Sequence, residues 1–155
     1  MVLGGGKPMG ISTCSGAISL SKELENESAK FYQELSKTFE KDKDLFLTFA
    51  KENAKYVTQI ERAYYGVITD AIEGCFAFDL NPDDYKIKAA PSKGATYPNV
   101  LKEAMAMEEK ILKFYQVAAE QSKHLMADVP RNFTLVAKKR NERIPKLKAL
   151  LDQAK

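Results

Sequence analysis

Four polar side chains lie at the centres of predicted apolar helix faces, where a hydrophobic residue would be expected. They are Glu25, Asn53, Glu108 and Arg140. Apolar residues at three- and four-residue spacing surround each of them, as on the core-facing stripe of an amphipathic helix. Glu108, for example, is flanked by Leu101, Ala104, Met105, Leu112, Tyr115 and Ala119. Because an ionised group buried alone is costly, the four side chains predict a shared polar site inside a helical bundle.

Two further polar residues follow one helical turn later along the chain. Tyr56 comes three residues after Asn53, and Arg143 comes three residues after Arg140. The combined set holds two carboxylates, two guanidiniums, an amide and a phenol, and its formal charge is zero. Such a set could use its carboxylates to bind metal ions or could pair them with the guanidiniums. Arg143 lies beside its apolar stripe, so the pattern is compatible with either a buried or an exposed side chain.

The composition excludes several other kinds of site. With two Cys and one His, one chain cannot build a thiolate zinc site, a disulfide framework or a multi-histidine metal centre. Cys14 and Cys75 form no CxxC motif, and a disulfide between them is not expected in a cytoplasmic protein. His124 follows a polar stretch, which favours a partly exposed histidine near a helix end over a catalytic one.

The elements that must position the polar residues are four long segments with helical periodicity, and no segment alternates as a strand does. The predicted helices cover about residues 17–38, 44–73, 98–123 and 131–153. Pro145 removes a backbone hydrogen bond inside the fourth helix and predicts a kink there.

The lengths of the connections predict how these helices are arranged. Short links join the first helix to the second and the third to the fourth, whereas a crossover over about residues 75–97 joins the halves. Two antiparallel hairpins with one long crossover form the connectivity of a ferritin-like four-helix bundle. We therefore predict a single all-α domain over residues 17–153, after a flexible tail over residues 1–16.

The two halves of the chain also resemble each other. When Glu25 is aligned with Glu108, the KFYQ segment at 30–33 coincides with a second KFYQ at 113–116. Corresponding helices follow in the same order in both halves, which favours a duplicated hairpin.

Charge and hydropathy limit the environment and the partners. The net charge of +3 is too small to indicate nucleic acid, and a solvated face explains the lysine-rich fourth helix. No apolar run could span a membrane, and the first residues lack the apolar core of a signal peptide, so the expected location is the cytoplasm. We expect a homodimer. An aromatic group, Tyr64, Tyr65, Phe76 and Phe78, could belong either to the core or to the dimer interface.

The segments LENESAKFYQEL and MEEKILKFY, with the paired hairpins and the long crossover, resemble the ferritin-like domain of rubrerythrins. The resemblance covers most of residues 17–153. In that family the first and third helices each supply a glutamate to a di-iron centre, and the second and fourth each supply an ExxH pair. Glu25 and Glu108 correspond to the first kind of ligand.

The positions of the ExxH pairs depart from the family pattern. Asn53 and Tyr56 occupy one pair, and Arg140 and Arg143 occupy the other. Two ferrous ions require several carboxylates, whereas an arginine does not lose its charge. Two like charges about 4 Å apart cost roughly 4 kcal/mol at an effective dielectric constant of 20. The arginines are therefore expected to take the place of the metal, which predicts no cofactor and a non-catalytic binding or structural role.

An alternative follows from the same resemblance. An iron-dependent oxidoreductase of the peroxide-scavenging or ferroxidase type would need other ligands, and sliding the second or fourth helix by one residue would bring Glu52 or Glu142 inward. Both shifts would also move charged residues into apolar stripes. The chain has no CxxC pair of the kind that binds iron in the rubredoxin-like domain of typical rubrerythrins.

Overall fold

A computed structural model describes residues 10–67, 77–124 and 128–154 of the chain, and these parts form an all-α bundle. The helices are α1 Cys14–Thr38, α2 Lys43–Val67, α3 Tyr97–Gln121, α4 Asp128–Asn141 and α5 Arg143–Ala154. Within the described ranges the only β pairing is an isolated bridge between Ile11 and Leu80. The all-α prediction is confirmed.

The helices form two antiparallel hairpins, as their side-chain contacts show. In the first hairpin Lys22 of α1 pairs with Glu61 of α2, whereas Tyr32, later in α1, stacks on Phe46, earlier in α2. In the second hairpin α3 packs against α4 and α5 in the same antiparallel sense. Contacts between α1 and α3 also run in opposite directions, as do those between α2 and α4. The directions along the chain are therefore up, down, down and up.

The fourth helical segment is interrupted as the sequence predicts. It consists of α4 and α5, separated by a turn at Glu142. Pro145 is the third residue of α5, where a first-turn N–H has no intrahelical partner to lose. The proline therefore begins a new helix at small cost, and α4 and α5 together form one long side of the bundle.

The N-terminal boundary of the domain is earlier than predicted. Residues 10–16, which we assigned to the tail, are part of the fold. The Thr13 hydroxyl accepts a hydrogen bond from the Gly16 N–H and caps α1, so that the helix begins at Cys14. Ile11 exchanges two backbone hydrogen bonds with Leu80, at 2.7 and 3.0 Å. This pairing is with a residue far along the chain, and a local pattern could not reveal it.

The described part of the crossover packs on the bundle. Phe78 and Leu80 are buried, and a 3-10 helix at Pro82–Tyr85 places the Tyr85 ring 5.4 Å from that of Phe114. The predicted end of the second helix at residue 73, Cys75 and Phe76 lie outside the described residues. Of the other aromatic residues considered for a dimer interface, Tyr64 is buried in the core and Tyr65 is 63% exposed.

The core is continuous along the bundle and rich in aromatic side chains, and all its buried charged groups lie near its middle. None of the described helices has the length and hydropathy needed to cross a membrane. The exposed position of His124 agrees with its expected place near a helix end.

Candidate functional site, a buried ion-pair cluster

The six polar residues selected from the sequence meet in the middle of the bundle, and all are buried. They are Glu25, Asn53, Tyr56, Glu108, Arg140 and Arg143. The side chains of Glu25, Glu108 and Arg140 have no exposed surface, and that of Arg143 is 2% exposed. We refer to these six residues as the central cluster.

Arg140 holds the two glutamates of the central cluster together. Its Nη1 donates to Glu108 Oε1 and its Nη2 to Glu25 Oε1, each at 2.6 Å. Its Nε donates to Glu25 Oε2 at 3.2 Å, so the pair with Glu25 is bidentate. The Nη2 group also donates to Asn53 Oδ1 at 3.0 Å. One guanidinium thus connects side chains from all four sides of the bundle.

Arg143 is buried, which decides between the two alternatives left open by the sequence. Its Nη1 donates to Glu108 Oε2 at 3.1 Å, and its Nη2 donates to the carbonyl of Phe49 at 2.9 Å. The guanidinium carbon lies 4.5 Å from the centre of the Phe49 ring, within the range of a cation–π contact. The same Nη2 reaches Glu52 Oε1, at 3.2 Å, on the edge of the bundle.

Two tyrosines outside the central cluster bind its glutamates, and the sequence pattern does not separate them from the apolar residues of their helix faces. Tyr115 donates from its hydroxyl to Glu25 Oε2 at 2.6 Å, and Tyr32 donates to Glu108 Oε2. Each tyrosine belongs to one KFYQ segment and binds the glutamate of the other hairpin. The repeated KFYQ was the signal that could have identified them, since the tyrosine stands at the same spacing from the glutamate in both halves.

Small polar residues supply further hydrogen bonds to the cluster. Asn53 donates from Nδ2 to the Ser28 hydroxyl at 3.1 Å, and the hydroxyls of Ser21 and Tyr115 lie 2.9 Å apart. Tyr56 joins the cluster through its ring, whose centre lies 5.9 Å from the Arg140 guanidinium carbon and 5.5 Å from that of Arg143. Tyr56 therefore contributes mainly an aromatic face to the two cations.

The electrostatics of the cluster favour an ionised Glu108 and neutral phenols at Tyr32 and Tyr115. Burial alone would raise the pKa of Glu108, but the charges of Arg140 and Arg143 outweigh it and the pKa is lowered. Burial and the neighbouring carboxylates raise the pKa of Tyr32 and of Tyr115 well above the usual range. Burial would lower the pKa of Arg140, whereas Glu108 and Glu25 raise it well above its ordinary value. The fully buried charges are two of each sign.

The observed helix register differs from the one that would supply extra carboxylates. Asn53 and Arg140 face the interior, whereas Glu142 is exposed. Glu52 is at the edge with 39% of its side chain exposed, and its contact is with Arg143. The shifted register, with Glu52 or Glu142 directed into the core, is therefore not the one the chain adopts.

The donor set of the cluster does not fit a di-iron centre. All four oxygens of Glu25 and Glu108 accept hydrogen bonds from arginines or tyrosines. Two fixed positive charges, those of Arg140 and Arg143, lie against these carboxylates, and neither Asn53 nor Tyr56 supplies a carboxylate or an imidazole. In the described parts of the chain, no three His, Cys, Asp or Glu side chains are grouped so that they could hold a metal ion.

Comparison of the chain with protein-family models, with curated proteins and with solved structures finds no match. The chemistry of the site must therefore be inferred from its own geometry. That geometry is a charge-balanced set of hydrogen bonds, and it leaves no carboxylate oxygen of Glu25 or Glu108 without a donor.

Proposed function

We propose that this chain is a ferritin-like bundle related to rubrerythrins in which an ion-pair cluster replaces the di-iron centre, and that its role is non-catalytic binding or structural. One observation carries the proposal. The guanidinium of Arg140 lies between Glu25 and Glu108 and contacts both at 2.6 Å. A metal that bridged these carboxylates would have to displace a buried cation that cannot be neutralised by deprotonation.

The ferritin-like assignment is supported by the helix directions and by the sites of the polar residues. The up, down, down, up order follows from two hairpins joined by a connection that returns along the length of the bundle. Glu25 and Glu108 lie on the first and third helical segments, and the pairs Asn53–Tyr56 and Arg140–Arg143 lie on the second and fourth. These are the segments that supply the corresponding ligands in the family that the sequence resembles.

The cluster can act as a neutral, rigid centre that fixes how the two hairpins pack. Bidentate and charge-assisted hydrogen bonds define both distance and orientation, which apolar contacts alone do not. Buried ion pairs of this kind are weak evidence for stability, but breaking one of them leaves an uncompensated buried charge. A specific packing that holds a binding surface in shape is therefore the role we assign to it. Homodimer formation and a cytoplasmic location remain predictions of the sequence.

The second candidate is an iron-dependent oxidoreductase. It is favoured by one feature, the two glutamates that face a common point between the first and third helical segments. Iron binding there would require Arg140 and Arg143 to leave the core, together with the tyrosines that occupy the same carboxylate oxygens. The two candidates therefore make opposite predictions about the metal content of the protein.

The deciding experiment is anaerobic loading with excess ferrous iron, followed by desalting and elemental analysis. We expect an iron content near zero and no oxo-bridge absorption after exposure to oxygen. About two irons per chain would contradict the proposal and establish the second candidate. A positive control restores the family pattern with Asn53→Glu, Tyr56→His, Arg140→Glu and Arg143→His, which supplies both ExxH pairs. Iron retained by this variant, with helical circular dichroism, shows that the assay detects a centre when the ligands are present.

A further inference from the structure

A small cavity opens where α2 faces the junction of α4 and α5, next to the central cluster. Its volume is about 250 Å³. Four cationic side chains line it, those of Lys55, Lys139, Arg143 and Lys146, against two carboxylates, those of Glu52 and Glu142. Because Glu108 already balances Arg143, the three lysines and two carboxylates leave one positive charge in excess.

The buried wall of this cavity contains a hydrogen-bond donor without an acceptor. Arg143 Nε is buried, and it has no hydrogen-bond partner among the described residues. It is the only buried side-chain nitrogen or oxygen in that part of the chain for which this is true. Buried donors are nearly always paired, because an unpaired one loses its hydration without compensation. An acceptor from outside the chain, a bound anion or a water, would satisfy this N–H.

The orientation of the guanidinium identifies which side faces the cavity. Its Nη1 donates to Glu108 in the core, whereas Nη2 donates both to the Phe49 carbonyl and to Glu52, two residues that also line the cavity. In a planar guanidinium, Nε and Nη2 form one edge, which presents two parallel donors to an oxyanion. Glu52 contacts this edge only through Nη2, at 3.2 Å, and 39% of its side chain remains exposed. A ligand with two oxygens would satisfy Nε and would take the place of Glu52 at Nη2.

We propose that this cavity is a binding site for a small oxyanion, a phosphate group or a short dicarboxylate, held by the Nε–Nη2 edge of Arg143 and by Lys139 and Lys146. The positive excess of the lining favours an anionic ligand. The volume is below the ~300–1,000 Å³ typical of drug-sized ligands, which restricts the ligand to a small molecule or a terminal group. Glu52 competes for the same edge from the cavity mouth.

This inference rests on the proposed function, because Glu108 holds Arg143 at the cavity wall and could not do so if it bound a metal. The two proposals fail separately. Iron content tests the central cluster, whereas anion binding tests the cavity in the metal-free protein.

The test is isothermal titration of the full chain with inorganic phosphate and, separately, with succinate, in an amine buffer at constant ionic strength. We expect saturable binding of at least one of the two, and the comparison identifies which group the site accepts. The double variant Lys139→Ala, Lys146→Ala should bind the anion at least about fivefold more weakly. This factor corresponds to the ~1 kcal/mol of attraction between two unit charges 4 Å apart in water. The matched control Lys138→Ala, Lys148→Ala changes the net charge equally on the same helices but does not line the cavity, and its affinity should stay within about twofold.

The variant Glu52→Gln makes the sharper prediction. It removes the competing carboxylate and should tighten binding by about fivefold, by the same Coulomb relation, whereas Glu109→Gln, on an exposed part of α3, should leave it unchanged. Binding of neither anion would overturn the proposal. Equal weakening by both lysine pairs, or unchanged affinity in Glu52→Gln, would also overturn it, because either result would mean that the anions bind only through diffuse positive charge.

Discussion

Replacing Arg140 with Met should destabilise the fold strongly, although methionine is apolar and of similar length. Arg140 makes hydrogen bonds to Glu25, Glu108 and Asn53, and all these groups are buried. After the replacement Glu108 still has Arg143 and Tyr32, whereas Glu25 keeps only the hydroxyl of Tyr115. Removing one partner of a buried ion pair costs about 3–5 kcal/mol. That loss is a large fraction of the ~5–15 kcal/mol by which domains are usually stable.

The assay is urea unfolding at neutral pH, followed by circular dichroism. The control is Arg131→Met, an exposed arginine on the same helix, for which we expect a change within about 0.5 kcal/mol. The double variant Arg140→Met, Glu25→Gln removes the unpaired charge and should be more stable than Arg140→Met alone. A loss below about 1 kcal/mol for Arg140→Met, or no recovery in the double variant, would refute the account of a buried and mutually dependent cluster.

Two further predictions concern the tyrosines and the pH dependence of stability. Tyr32→Phe and Tyr115→Phe each remove a hydrogen bond to a buried carboxylate and should lower the free energy of unfolding in urea by about 1.5–3 kcal/mol. The control Tyr65→Phe, at an exposed position, should leave the free energy of unfolding almost unchanged. The lowered pKa of Glu108 contributes stability that is present above the ordinary glutamate pKa of about 4.3 and is lost as the pH falls through the folded-state value. Acid should therefore unfold the protein, and Glu108→Gln should make its stability less dependent on pH. The raised pKa of Tyr32 and Tyr115 means that the unfolded chain loses these protons first, so stability should decrease as the pH rises above about 10. An unfolding midpoint that does not change in this range would contradict the burial of the two hydroxyls.

The helices and the central cluster could be predicted because burial makes polar residues informative. A glutamate or arginine in the middle of an apolar stripe has few alternatives to an internal partner. This is why Glu25, Glu108 and Arg140 could be assigned to one site before their distances were known. Tyr32 and Tyr115 could not be separated from the apolar residues in the same way, because tyrosine packs as an aromatic ring and reveals the use of its hydroxyl only through its neighbours.

The features that the sequence misplaced or left open depend on contacts between distant residues. The start of the domain is set by the pairing of Ile11 with Leu80, which no local window contains. The path of Arg143 into the core depends on the turn at Glu142 and on the Phe49 carbonyl, which is a backbone group of another helix. Its unpaired Nε has no counterpart in any sequence pattern.

The unequal charges of the two hairpins have a consequence for how the duplicated halves recognise each other. The first hairpin contributes one fully buried charge, that of Glu25, whereas the second contributes Glu108, Arg140 and Arg143 and so carries the opposite net sign. A pair of first hairpins would bury two uncompensated negative charges, and a pair of second hairpins would bury two positive ones. Although their sequences are related, the halves can assemble only as unlike partners. The charges therefore disfavour the pairing of two identical hairpins from different chains while the protein folds.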